Sequence, residues 1–196
     1  MAGYVALVAS AVLIFGNLTY IKGIMKGTVT PTKSTWIIFT IVTGLNVVSF
    51  LTNSFDVVSG AYGITDFFLS LMIMVIALIY ARKSKVSFKS FEKYYLAGAA
   101  VCVLFWVISE NPFQTNLLVQ TLIIVGYIPT IHSMLSTKSS SESVTSWTIW
   151  ATGSFMSLYP AIAHSNVLAV VYSLRGTTMC LIILALTYRF QRRSAQ

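Results

Sequence analysis

Of 196 residues, 13 are Lys or Arg and 5 are Asp or Glu, so 9% of the chain is charged while 56% is apolar. A soluble domain carries about 25% charged residues and needs polar groups over most of its surface, which excludes a soluble enzyme and a disordered tail. Cys102 and Cys180 both fall in apolar runs, which excludes a disulfide scaffold, and the net charge of +8 lies between apolar blocks rather than on one solvated face. The expected partner is therefore a lipid bilayer, and nucleic acid is not expected.

A helical span needs about 20 mostly apolar residues, and lipid offers no partner for open backbone groups, so every span should be a helix. In chain order the spans are predicted at 3–21, 35–52, 57–81, 94–109, 114–131, 146–162 and 167–188. The first lacks a basic leader and a small-residue cleavage site, so it is expected to be retained; it carries Ser10 and Asn17. On the second, Phe39, Thr43, Asn46 and Ser49 step by four, three and three, which keeps them on one helical face. The third carries Asp66 as its tenth residue, and the short fourth has Tyr94, Tyr95 and Trp106 placed as interfacial anchors. Gln120, Tyr127 and Pro129 lie on the fifth span. The sixth repeats the stripe of the second with Trp147, Trp150, Ser154 and Ser157, and contains Pro160. The seventh carries Arg175 as its ninth residue.

Seven spans place the N-terminus and the 2–3, 4–5 and 6–7 loops on one side, which then holds no Lys or Arg. Twelve of the 13 basic residues fall on the other side: Lys22, Lys26 and Lys33, then Arg82, Lys83, Lys85, Lys89 and Lys93, then Lys138, and finally Arg189, Arg192 and Arg193. The positive-inside rule then predicts an external N-terminus and a cytoplasmic C-terminus. Short loops and the lack of an appended domain fit a bacterial inner membrane.

The first three spans repeat in the last three. Gly16-Asn17-Leu18-Thr19 matches Gly126-Tyr127-Ile128-Pro129 at an offset of 110, and Trp36, Phe39, Thr43 and Asn46 match Trp147, Trp150, Ser154 and Ser157 at 111. Tyr62 corresponds to Tyr172. An extra span between two three-span copies turns the second over and makes the copies parallel. The expected organisation is a three-helix repeat at 1–81, a linker helix with its loops at 82–113 and a second three-helix repeat at 114–196. The fold class is thus an all-α integral membrane protein with seven transmembrane helices. The segment Gly126-Tyr-Ile-Pro-Thr-Ile-His132, with Ser136-Thr-Lys-Ser-Ser140 and Ser146-Trp-Thr-Ile-Trp150, resembles a PQ-loop repeat. With the 3+1+3 layout, the chain resembles the SWEET, SemiSWEET and PnuC group of small-solute transporters.

Asp66 and Arg175 lie about 13 Å into parallel spans and so share a depth, where an unpaired charge costs about 3 kcal/mol. Opposite signs at equivalent positions suggest that they face each other across a central cavity, either as a gate or proton-coupling pair or as a static pair holding the halves together. An aromatic above small polar groups suits a flat polar solute, which makes Trp150, Phe39, Asn46, Thr43, Ser154 and Ser157 the candidate binding residues; Ser and Thr also serve helix packing. The expected activity is alternating-access transport of a small polar solute, passive or proton-coupled. The alternative is a receptor or sensor on the same scaffold that binds without transporting, like the KDEL receptor, which the chain also resembles in span number. An enzyme is not expected, because no nucleophile–base pair or metal cluster falls inside the spans. No metal or other cofactor is expected, and a homo-oligomer is compatible with these features.

Overall fold

The structure, a computed structural model, describes residues 1–29, 31, 33–80, 90–140 and 142–194. The third-loop residues Arg82, Lys83, Lys85 and Lys89 lie outside them. Among the described residues there are nine helices and no strand: α1 (Ala2–Met25), α2 (Lys33–Asn53), α3 (Val57–Tyr80), α4 (Ser90–Ser109), α5 (Pro112–Gly126), α6 (Ile128–Thr137), α7 (Val144–Met156), α8 (Leu158–Ala163) and α9 (Val167–Ser194). Among the described residues, five stretches are helical, long and apolar enough to cross a membrane: Ala2–Met25, Thr35–Asn53, Val57–Tyr80, Pro112–Thr137 and Val167–Gln191. A shorter apolar stretch, Ala100–Ser109, lies within α4. Large apolar side chains stand on the outside of these helices, among them Leu7, Phe15, Ile79, Leu104, Ile108 and Leu181. Such a surface suits an integral membrane protein and is costly in water.

Local chemistry sets the helix ends. Four helices begin with a side chain that accepts a backbone N–H three residues on. These are Asp56 from Ser59 (3.2 Å), Asn111 from Gln114 (3.1 Å), Ser143 from Ser146 (3.2 Å) and Asn166 from Ala169 (3.1 Å). Pro112 adds a fixed φ in the first turn of α5. Two helices end in the same left-handed motif. At α1, Thr28 N–H reaches Gly23 O and Gly27 N–H reaches Ile24 O, with Gly27 at φ 71°. At α8, Asn166 N–H reaches Ala161 O and Ser165 N–H reaches Ile162 O, with Ser165 at φ 53°.

The predicted fifth and sixth spans are each interrupted. The break at Tyr127 lies two residues before Pro129, and the break at Ser157 lies three before Pro160. Proline has no N–H to give the carbonyl four residues back, and its ring crowds that carbonyl. Val125 and Met156 are those residues here, and the helices separate just after them.

α3 packs against both α1 and α2, and α9 packs against α7, α8, α5 and α6. Between these groups the contacts run from α1 to α7 and α8, and from α2 to α5, while α4 lies on α5 and α2. The α1–α7 crossing is close because small residues line it. A Cβ added to Gly153 would sit 3.3 Å from Ala9 O, and one added to Gly16 would sit 2.8 Å from Trp150 Cδ1.

Candidate functional site

A cavity lies between the α1–α3 group and the α5–α9 group. It encloses about 820 Å³ of empty space, counting the part that runs out to solvent. Its loop end is marked by Thr35 at the start of α2 and Glu142 between α6 and α7. Farther along lie Asp66, Tyr172 and Arg175. Asp66 and Arg175 are the tenth and ninth residues of α3 and α9, about 13 Å from those helices' starts.

Aromatic rings form the wall nearest the loop end. Tyr20 lies 5.5 Å from Trp36 and 5.1 Å from Trp150, centroid to centroid, and Trp147 meets Trp150 edge-on at 4.9 Å. Phe39 meets Tyr127 edge-on at 5.0 Å. Edge-on contacts of this kind add about 1 kcal/mol to the burial of each ring pair.

Three tyrosines tie the two groups together along the cavity. Tyr20 on α1 donates to Glu142 (3.5 Å), Tyr62 on α3 donates to Trp150 O (3.3 Å), and Tyr172 on α9 donates to the Asp66 carboxylate. The Arg175 guanidinium lies over the Tyr172 ring at 4.6 Å, a cation–π contact, and its Nε donates to Gln120 Oε1 at 2.9 Å. Asp66 and Arg175 therefore share the cavity through Tyr172. No direct ion pair joins them among the described residues; the ion pair found there is His164–Asp56 at 3.0 Å.

The sequence-derived binding residues divide between two places. Trp150, Phe39 and Ser154 line the cavity with Asp66 and Arg175. Ser154 is tied back to α9, its hydroxyl donating to Ser173 O at 2.9 Å. Thr43, Asn46 and Ser157 stand outside that lining. Thr43 is buried and donates to Phe39 O within its own helix (2.7 Å). Ser157 Oγ lies 2.7 Å from both Ser154 O and Ser173 Oγ. Asn46 joins a buried amide network at the α2–α5 contact. Its Oδ1 accepts from Asn116 Nδ2 (3.1 Å) and from Gln120 Nε2, and Asn116 also donates to Ser49 Oγ (2.9 Å). Through Gln120 this network reaches Arg175, so the α2 stripe touches the cavity indirectly. Of the residues paired by the repeat, Asn17 and Tyr127 line the cavity, while Ser10 Oγ is buried without a hydrogen-bond partner among the described residues.

Sequence reasoning missed Glu142 and the bridging role of Tyr172. Glu142 is a loop residue, and span-based reading passes over loops; the available signal was a lone acid in a Ser/Thr-rich basic loop just before Trp147. In the structure the loop folds inward. The Glu142 carboxylate accepts from Trp147 Nε1 at 2.9 Å. Burial pushes its carboxyl above the usual range, and the hydrogen bonds from Trp147 and Tyr20 offset this in part.

The opposite end is closed. Phe50, Ala161, Leu168 and Ala169 form a separate apolar cluster there. Beside it Asp56 pairs with His164, and Asn166 donates to Ser54 at 3.5 Å. Each contact joins the α1–α3 group to the α5–α9 group. A smaller cavity, about 320 Å³ counting the part that runs out to solvent and lined in part by Asn46, Phe50 and Tyr172, lies next to this cluster.

Set beside protein-family models, curated proteins and solved structures, the chain matches none of them.

Proposed function

We propose that the chain is a membrane transporter that moves a small polar solute by alternating access between two parallel three-helix bundles. The observation that carries this reading is the cavity itself. It lies between the two groups of helices, receives an acid from one and a base from the other, and is open at one end and closed at the other. Transporter repeats related by an axis along the membrane normal hold their site in this position, near midplane between the halves.

The seven-span count joins α5 with α6, and α7 with α8, as single interrupted spans, and counts α4 as the linker. The contacts support such a repeat. The third helix of each half packs against the other two, and the halves exchange equivalent contacts, α1 with α7 and α2 with α5. Tyr62 and Tyr172, equivalent in the repeat, meet edge-on at 6.3 Å. Equivalent residues touch only near the axis that relates two copies. In this reading the cavity opens on the basic side, next to Lys22, Lys26 and Lys138, which the positive-inside rule makes cytoplasmic. A bacterial inner membrane with the N-terminus outside is the proposed setting.

Transport then requires the aromatic end to close and the Phe50–Leu168 end to part. Trp150 and Phe39 face the solute, and Tyr172 passes a change at Asp66 to Arg175. The test is uptake by proteoliposomes from a panel of labelled amines, amino acids, sugars and nucleosides. The expected result is saturable, protein-dependent uptake of at least one class, with a changed rate or pH profile in Asp66→Asn. Binding of a panel member without flux of any would replace the transporter with a receptor.

A further inference from the structure

We infer that the loop end of the cavity is a subsite for an organic ammonium group, held by the Glu142 carboxylate inside a box formed by Tyr20, Trp36, Trp147 and Trp150. The inference rests on the transport reading for its purpose and on separate observations for its chemistry. Glu142 is half-buried, yet among the described residues no Lys or Arg lies within ion-pair distance of it. One carboxylate oxygen, Oε2, takes the hydrogen bonds of Trp147 Nε1 and Tyr20 OH, both neutral donors. Neither brings a positive charge to offset the cost of taking a carboxylate out of water.

The surroundings supply the other half of the recognition. Trp36 stands 6.5 Å from Trp150 and 5.5 Å from Tyr20, so three rings and the edge of Trp147 converge beside the acid. Aromatic faces are electron-rich and attract a desolvated cation, with tryptophan the strongest. A sugar would stack on such rings as well, but it would leave the carboxylate without a counter-charge.

The charge balance points the same way. The chain carries 13 basic and 5 acidic residues, yet the described lining of this cavity contains two acids, Glu142 and Asp66, and one base, Arg175. Arg175 is already engaged by Gln120 and Tyr172. The lining is therefore net acidic although the protein as a whole carries +8, so the preference for a cation is local to the cavity.

The test compares choline with its uncharged isostere 3,3-dimethylbutan-1-ol on the full chain in nanodiscs, read by intrinsic tryptophan fluorescence. Three of the four tryptophans, Trp36, Trp147 and Trp150, line the cavity, so occupancy reports directly. Choline should give a saturable change, and the isostere should bind at least about tenfold more weakly, the order expected of a desolvated cation–π and carboxylate contact. Glu142→Gln should weaken choline by at least that factor and leave the isostere unchanged, with Glu142→Asp in between as the control for folding. Equal binding of the two ligands, no binding of choline, or an unchanged affinity in Glu142→Gln overturns the assignment. Uptake of a neutral solute while choline fails to bind would reject the ammonium subsite and keep the transporter. Choline binding without flux of any panel member would do the reverse.

Discussion

The two stretches that match in sequence, 16–46 and 126–157, differ in their helices. α1 and α2 run unbroken for 24 and 21 residues, whereas the matching stretches of the second half are cut at Tyr127 and Ser157. The cause is local. Pro129 and Pro160 remove hydrogen bonds in the second half, while α1, α2 and α3 contain no proline. Two segments that match in sequence pattern thus differ in helix continuity, and under the proposed transport reading bending is expected at the breaks at Tyr127 and Ser157.

Moving the proline is the strongest way to break that asymmetry. Thr19 stands at the repeat position of Pro129, in an unbroken stretch of α1. Thr19→Pro should cost about 3 kcal/mol, whereas Pro129→Ala should change stability by less than about 1 kcal/mol, because the break has already been accommodated. Thermal unfolding in detergent checks both. Equal costs would mean that the two halves tolerate a break alike.

The next effect concerns the seam. Gly16 lets the Trp150 indole lie against α1, and an added side chain would sit 2.8 Å from Cδ1 and 2.9 Å from Nε1. Gly16→Val should destabilise by about 2 kcal/mol through overpacking and push the indole into the cavity. The pair Gly16→Val with Trp150→Phe should recover part of that loss, a coupling that a double-mutant cycle measures. Strict additivity would contradict this contact.

A smaller gain is expected at the end of α8. The same left-handed motif carries Gly27 in the first half and Ser165 in the second. Since a side chain in that conformation costs about 1 kcal/mol, Ser165→Gly should stabilise by up to about that amount. A lower melting temperature would mean that the Ser165 side chain has a role of its own.

The smallest effect lies in the contact between Asp56 and His164. Burial raises the Asp56 carboxyl, but hydrogen bonds from Ser59 and the neighbouring His164 outweigh it and hold the group below its ordinary value. A depressed carboxyl contributes stability that is complete above the ordinary value near 4 and disappears as the pH falls through the lowered one. The pair is partly exposed, so the contribution is under about 1 kcal/mol. Melting curves of the parent and Asp56→Asn should differ at neutral pH and converge as the pH falls below the ordinary carboxylate range. Parallel curves to below that range would remove the pair from the closed end.

The helices were legible because lipid-facing segments must be both apolar and long, but the predicted fifth and sixth spans are continuous although Pro129 and Pro160 lie in them, and only the structure shows the breaks at Tyr127 and Ser157. Periodicity showed that Phe39, Thr43 and Asn46 share a face of α2, but it could not say which neighbour that face meets. Phe39 turns to the cavity, while Asn46 is drawn to α5 by Asn116 and Gln120, whose amides have no cheaper partner in an apolar interior. Asp66 and Arg175 drew attention as buried charges. Tyr172, which links them, looked like an ordinary aromatic until its hydroxyl and its ring face had neighbours. Glu142 escaped because a loop residue carries no periodic signal, and only the folded loop turns it inward.

Access from the two ends of the cavity tests alternating access most directly. In a variant with Cys102 and Cys180 replaced by alanine, Thr35→Cys reports the aromatic end and Leu168→Cys the closed end, each probed with a membrane-impermeant maleimide from either side of oriented vesicles. The account predicts that Thr35→Cys reacts from one side only and Leu168→Cys from the other. Any condition that slows the first should speed the second. Constant reaction at Thr35→Cys, with Leu168→Cys inert from both sides under every condition, would contradict it.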